Sequence, residues 1–238
     1  MLQSVLKVFV GYDSREDIAW QVCRHSLLRH AKRPIKVHAI RQAELRAQGV
    51  YTRPHDAKAS TEFSLTRFLT PHLAAYDGWS VFVDCDTLFL SDVTDLLAEI
   101  SDDRAIYVVK HEYTPHNTIK MDGKQQHIYP RKNWSSFVLF NGAHPSVQAL
   151  TPEVVNASSP IDLHRFAWTS DDAIGALSSD WNFLVGDYRT PAKTPKMIHY
   201  TNGGPWFDNW QDVDFADLWL AEERMLRSSQ SVIAYAAA

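Results

Sequence analysis

Residues 81–90 read Val-Phe-Val-Asp-Cys-Asp-Thr-Leu-Phe-Leu, VFVDCDTLFL. The run is apolar and β-branched, with Gly78 before it and Ser91-Asp92 after it, the pattern of a buried strand between turns. Asp84 and Asp86 stand inside it. Carboxylates in so apolar a setting are costly unless they are paired, hydrogen-bonded or holding a cation. Two residues apart on an extended strand, they point to one side. Cys85 then points the other way, into the core, as a small hydrophobe. A hard divalent cation with oxygen ligands would balance both charges and grip phosphate oxygens. An acidic strand end facing solvent is the plain alternative.

Outward from this run, strands and helices alternate. Val5–Val10 reads as a strand that ends at Gly11-Tyr12-Asp13. Ser14-Arg15-Glu16-Asp17 has the form of a capping box, with Asp in place of the usual Glu or Gln. Ile18, Trp20, Val22, Cys23, Leu27 and Leu28 then recur at helical spacing through His30, and Pro34 closes the helix. Lys36–Ile40 is a second strand, and this β-α-β opening predicts a parallel pair. Residues 41–60 read as a loop with a short helical turn, Ser60–Leu69 as a helix, and Thr70-Pro71 as the start of another. A strand at 81–85, a short helix over Asp92–Ile100 and a strand over Ala105–Lys110 follow. The polar stretch 111–133 suits a hairpin or flap. Strands are expected over Trp134–Asn141, Phe183–Val185 and Lys196–Tyr200, and a helix over Ser170–Leu177. A terminal amphipathic helix at about 215–228 offers Phe215, Leu218, Trp219, Met225 and Leu226 for packing. With no repeat and no linker, residues 1–238 read as a single α/β domain, a Rossmann-like, mainly parallel sheet flanked by helices.

The 238 residues are 45% hydrophobic and 22% charged, ordinary for a soluble domain able to bury a sizeable core. A net charge of -4 and the lack of any basic block argue against nucleic acid as the main ligand. The two cysteines, Cys23 and Cys85, have neither metal-ligand nor disulfide spacing, which fits a reducing, cytoplasmic setting. No run of 18 apolar residues is present to span a membrane, and the opening residues reach a charge too soon for a secretory leader. Peripheral contact with an inner membrane stays compatible with this.

In open α/β sheets, ligands gather at the carboxyl ends of the strands. At Tyr12-Asp13, a ring and the N–H groups of a starting helix suit a nucleotide base, with a capped βα turn as the alternative. Downstream, His199 ends a short apolar strand, and a neutral imidazole suits a third metal position beside two carboxylates. Gly203 and Gly204 allow a diphosphate close to the backbone.

Taken in order, these segments resemble the GT-A glycosyltransferases, and within them the glycogenin-like and lipopolysaccharide-galactosyltransferase-like enzymes of glycosyltransferase family 8. FVGYD at 9–13 resembles the strand that holds a uracil ring. Ser64 through Leu96 is similar to the family's central block, with an Arg-bearing helix before Asp-x-Asp-Thr. WSSFVLFN at 134–141 looks like its Asn-Ser-Gly strand. SDDAIGAL at 170–177 resembles its Asp-Gln helix, with Trp181-Asn182 following. HYTNGGPW at 199–206 is similar to its His-aromatic-x-Gly-x-x-Lys-Pro-Trp ending.

The resemblance implies transfer of a sugar, with retention, from a UDP-sugar to an acceptor hydroxyl on a carbohydrate or glycolipid. It implies Mn2+ or Mg2+ held by Asp84, Asp86 and His199. It puts Arg67 near the donor phosphate or sugar, Asp171 on donor hydroxyls and Asp172 near the reacting carbon. Three positions depart from the pattern. Gly204 stands where the family has Lys, with Lys193 or Lys196 as the nearest replacements. Ser135-Ser136-Phe137 stands for Asn-Ser-Gly, and Asp172 for Gln. Two other readings compete: a haloacid-dehalogenase-type phosphatase, whose Asp-x-Asp also follows an apolar strand, and a nucleotide-sugar-binding relative without turnover.

Overall fold

The nine strands among the described residues are, in chain order, β1 (Leu6–Gly11), β2 (Ile35–Ile40), β3 (Trp79–Val83), β4 (Thr87–Phe89), β5 (Ile106–Val109), β6 (Phe137–Asn141), β7 (Ile174–Leu177), β8 (Phe183–Leu184) and β9 (Met197–His199). The structure is a computed structural model, and it describes residues 5–56, 59–112 and 131–236. Six strands form the main sheet, in the order β2-β1-β3-β6-β5-β7. β1 runs parallel to β2 and β3, and β5 runs parallel to β7, while β6 is antiparallel to both of its neighbours. The carboxyl ends of β1, β2, β3, β5 and β7 therefore share one end of the sheet. β3, β5 and β6 are apolar along nearly their whole length and almost wholly buried, as strands covered on both faces must be. A second sheet, β4-β9-β8, lies beyond that carboxyl end.

The helices are α1 (Asp17–His30), α2 (Gln42–Ala47), α3 (Thr70–Leu73), α4 (Pro145–Gln148), α5 (Pro152–Ala157), α6 (Pro160–His164) and α7 (Ala216–Ala236). α1 buries Ala19, Val22, Cys23, Ser26 and Leu27. α7 docks on it through Glu222, which is 1% exposed and accepts hydrogen bonds from Arg29 Nε and Nη2 and lies 2.7 Å from His25 Nδ1.

Two readings from the sequence are corrected. VFVDCDTLFL is two strands, because the chain leaves the main sheet after Val83 and joins the small one at Thr87. Asp84-Cys85-Asp86 is the crossing between them. Its ends are held by Asp84 N–H donating to Ser136 O and Tyr200 N–H donating to Asp86 O, both at 2.9 Å. Residues 170–177 are not a helix but a 3-10 turn at Asp171–Ala173 followed by β7. Pairing with β5 overrides the local cap signal, and Gly175 makes it feasible. A Cβ there would stand 2.3 Å from the Tyr107 ring. Smaller differences are of one kind. Thr66–Leu69, Val93–Ala98 and Trp134–Ser136 are 3-10 turns, where a helix was expected over Ser60–Leu69, a helix over Asp92–Ile100, and a strand already from Trp134. Most of the expected 111–133 flap lies outside the described residues.

Candidate functional site

β4 zips onto β9 with Leu88 opposite Ile198 and Phe89 opposite Met197, four buried apolar residues. That register sets Thr87 opposite His199 and so brings the imidazole beside Asp86. His199 Nε2 lies 3.2 Å from Asp86 Oδ1. Asp84 arrives from the end of β3. One ligand atom from each of Asp84, Asp86 and His199 falls within 4.8 Å of the others. Two carboxylate oxygens and one imidazole nitrogen form a donor set that fits a hard to borderline divalent cation.

The imidazole is held from behind. His199 Nδ1 is 2.9 Å from Asn182 Oδ1, Asn182 Nδ2 donates to Ser136 Oγ at 2.9 Å, and Ser136 Oγ donates to Asn133 O at 2.7 Å. Ser136 spends its one proton on a carbonyl, so it accepts from the Asn182 amide, which fixes the orientation of that amide. The amide oxygen then faces His199, whose Nδ1 must carry a proton, and in the neutral ring the Nε2 lone pair points at Asp86 or at a cation.

Arg67 holds the other acid. It is 6% exposed, and its Nη1 lies 2.9 Å from Asp84 Oδ1 and donates to Ser135 O at 2.8 Å. Burial pulls the His199 pKa down, but the charge and hydrogen bond of Asp86 and the charge of Asp84 together leave it raised. Glu16, on the 3-10 turn after β1, also feels Asp86. Burial first, then the charges of Asp86 and Asp13, push its carboxyl up to about 8.

A curated protein of Arabidopsis thaliana, Protein CDI, is 52% identical to this chain over 220 residues, covering 91% of this chain and 85% of that one. The chain belongs to the Protein CDI family. No protein-family model matches it. Among solved structures it is similar to the WbbM bifunctional glycosyltransferase, with TM-score 0.65 and 18% identity over 94% of this chain and 50% of that one. It is also similar to the glycosyltransferase GlyE of Streptococcus pneumoniae, with TM-score 0.62 and 14% identity over 96% of this chain and 64% of that one. The galactosyltransferase LgtC, solved with donor and acceptor sugar analogs, gives TM-score 0.57 and 11% identity over 92% of this chain and 95% of that one. The chain spans half the length of WbbM and just under two-thirds of GlyE. At these identities the likeness establishes the fold, and the CDI-family chain has that of the GT-A glycosyltransferases.

The remaining residues singled out in this CDI-family sequence fall into two groups. Tyr12 stands at the carboxyl end of β1, with the Arg41 guanidinium 3.4 Å from its ring centroid and its hydroxyl donating to Asp17. Asp13 is wholly buried. Its carboxylate accepts from Arg15 Nε, Arg15 Nη2 and the backbone N–H groups of Arg15 and Glu62, so it caps the turn. Burial works to raise its pKa, but those hydrogen bonds leave it lowered. Gly203 has φ 128°, a conformation that favours glycine. At Gly204 a Cβ would stand 2.0 Å from a ring carbon of Trp206, so the indole fills the space where a side chain would begin.

Asp171 and Asp172 do not join the cluster. They open β7 at the end of the sheet opposite to Asp84 and are exposed, Asp171 paired with Arg131 and Asp172 O accepting from Arg104 where β5 begins. Lys196 is committed to Glu99 at 2.7 Å and lies over the Trp181 ring.

Asn182 and Ser136 stood in the sequence only as members of the resembling segments and Glu16 only in a cap, and His111 had no role there; the structure joins Asn182 and Ser136 to His199. The available signal was a polar residue next to an apolar run: Asn182 before Phe183 and His111 after β5.

Proposed function

We propose that this chain is a metal-dependent glycosyltransferase that moves a sugar, with retention, from a UDP-sugar to an acceptor hydroxyl on a carbohydrate or glycolipid. The observation that supports it is the convergence of Asp84, Asp86 and His199 at the carboxyl end of a GT-A sheet. Asp84, Asp86 and His199 would hold Mn2+ or Mg2+, whose chemistry when bound is electrostatic stabilisation of the leaving diphosphate. Arg67 keeps Asp84 aimed at the centre, and Asn182 keeps His199 in the ligating tautomer. Tyr12 and Arg41 frame the base, and the Gly203–Gly204 backbone lies along the diphosphate. Asp171 and Asp172, at the other end of the sheet, have no role in this reading. It places one catalytic domain over residues 1–238, in the cytoplasm or against the inner membrane. No helix among the described residues is long and apolar enough to cross a membrane.

The phosphatase reading is dropped, because Asp84-Cys85-Asp86 follows β3 and crosses into a second sheet of a GT-A fold. A nucleotide-sugar binder without turnover is the second reading, favoured by the Trp206 ring against Gly204. Calorimetry with Mn2+ and UDP, followed by a panel of UDP-sugars assayed for UDP release and transfer, decides. Metal-dependent UDP binding with release, both lost in Asp86→Ala, is expected. Binding without release across the panel selects the second reading, and no binding rejects both.

A further inference from the structure

We propose that His111 donates a hydrogen bond from Nε2 to an anionic oxygen of the distal phosphate of a bound nucleoside diphosphate. This rests on the reading that the site takes a nucleotide-sugar.

His111 follows β5 at the same end of the sheet as Asp84 and is 6% exposed. Its Nδ1 lies 2.8 Å from the Tyr188 hydroxyl, and the two rings stack at 5.8 Å. Its backbone carbonyl accepts from Trp134 Nε1, which ties the backbone at His111 to Trp134. The Tyr188 ring also packs on Phe183, whose neighbour Leu184 pairs with His199 across β8 and β9. Tyr188 and Phe183 thus join the His111 ring to the small sheet that carries His199, and His111 is near enough to feel the charge of His199.

The proton positions follow from the surroundings. Burial, with the charge of His199 adding to it, holds His111 down at about 3, so the ring is neutral near pH 7. Burial raises the Tyr188 pKa, so the phenol keeps its proton. That proton has Nδ1 as its hydrogen-bonding partner among the described residues, so Nδ1 accepts and Nε2 carries the ring's hydrogen. Nε2 is buried and meets no hydrogen-bonding partner among the described residues. A buried N–H without an acceptor is unfavourable, and such a group calls for an explanation.

A bound anion supplies one. Arg67, the cation that touches the centre, is committed to Asp84 and to Ser135 O. A buried group that can only donate, near carboxylates that would hold a cation, matches an oxygen that only accepts. Phosphate oxygens have that character, while a sugar hydroxyl also needs to donate.

The test compares UDP with UMP in the presence of Mn2+ by calorimetry, in wild type, His111→Phe, His111→Gln and Tyr188→Phe. His111→Phe keeps the ring and removes the donor, and a hydrogen bond to a charged oxygen lost this way weakens UDP by about tenfold or more. UMP and Mn2+ alone should bind as in wild type. His111→Gln keeps an N–H and should retain most UDP affinity. Tyr188→Phe removes the group that fixes the tautomer and should weaken UDP less than His111→Phe does. Histidine 15N spectra of the free protein should show His111 as the Nε2–H tautomer, a readout independent of whether any variant folds well. UDP affinity unchanged in His111→Phe, an equal loss for UMP, or an Nδ1–H tautomer each overturns the proposal while leaving the nucleotide-sugar reading standing. Wild type that binds neither nucleotide overturns both.

Discussion

His199 Nδ1 lies 2.9 Å from Asn182 Oδ1, and the amide that makes this contact is itself locked by Ser136. The Asn182–Ser136 contact crosses from the small sheet to the main one, and the nitrogen that faces Asp86 is set by a residue 17 positions upstream. Asn182→Ala leaves the three ligands in place but frees the ring to change tautomer. The expected result is Mn2+ affinity lowered by about 10–100-fold, the usual cost of removing such a partner, measured by calorimetry. Asn182→Asp keeps an acceptor in the same place and should retain most of the affinity. Equal losses in the two variants would reduce Asn182 to packing.

Arg67 and Asp84 form an ion pair at 2.9 Å with side chains 7% and 13% exposed. Removing one partner of such a pair leaves an uncompensated charge near the core. Arg67→Met should therefore destabilise the cation-free protein by about 3 kcal/mol, measured by urea denaturation. A divalent cation at the centre would supply the missing charge. Mg2+ should raise the melting temperature of Arg67→Met by more than that of wild type. A smaller rise in the variant would mean that Arg67 builds the site itself.

The raised pKa of His199 gives a pH dependence of definite sign. A group whose folded-state pKa is raised stabilises the fold fully below its unfolded value, about 6.5 for His, and loses that contribution as pH rises through the folded value. Glu16, pushed up to about 8, acts in the same direction from a lower starting point. The cation-free protein should therefore lose stability from about pH 5 to 8. Asp86→Asn should flatten the His199 part, and Glu16→Gln the part at lower pH. Cation binding has the opposite slope, because the Nε2 proton must leave, and Mg2+ should bind more tightly at pH 8 than at pH 6. A cation affinity flat across that window would remove His199 from the ligand set.

Much of this fold was legible in periodicity. β1, α1 and β2 announce themselves through apolar spacing and caps, and Asp84, Asp86 and His199 meet as their residue types implied. The reason they meet was not legible. Side-chain alternation along one strand suggested it, but the actual cause is a chain crossing between two sheets, followed by β4–β9 pairing across more than 100 positions. Ser170–Leu177 misled for a related reason. Its Ser-Asp-Asp start is a genuine local helix signal, and β5 overrules it through contacts that no short window contains. Asp171 and Asp172 were assigned on that helix, and they move to the far end of the sheet with the strand. The Asn182–Ser136 chain likewise joins residues 46 apart.

Gly204 tests whether the centre can be remodelled toward the resembling family 8 pattern by a single change. The glycosyltransferase family 8 pattern that the sequence resembles has Lys at this position, and a simple view would expect Gly204→Lys to add phosphate affinity. The Trp206 ring forbids that without rearrangement, since a Cβ would stand 2.0 Å from its nearest ring carbon. The ring is not free to move, because it packs edge-on against Tyr200 at 5.8 Å and against Trp219 of α7 at 5.3 Å. Gly204→Ala should therefore cost about 1–3 kcal/mol from overpacking, and Gly204→Lys at least as much, with no gain in UDP affinity. Trp206→Ala relieves the clash, so the double variant Gly204→Ala/Trp206→Ala should be more stable than the sum of the two single losses predicts. A double-mutant cycle by denaturation measures that coupling, and an additive result would place the indole away from Gly204 in solution.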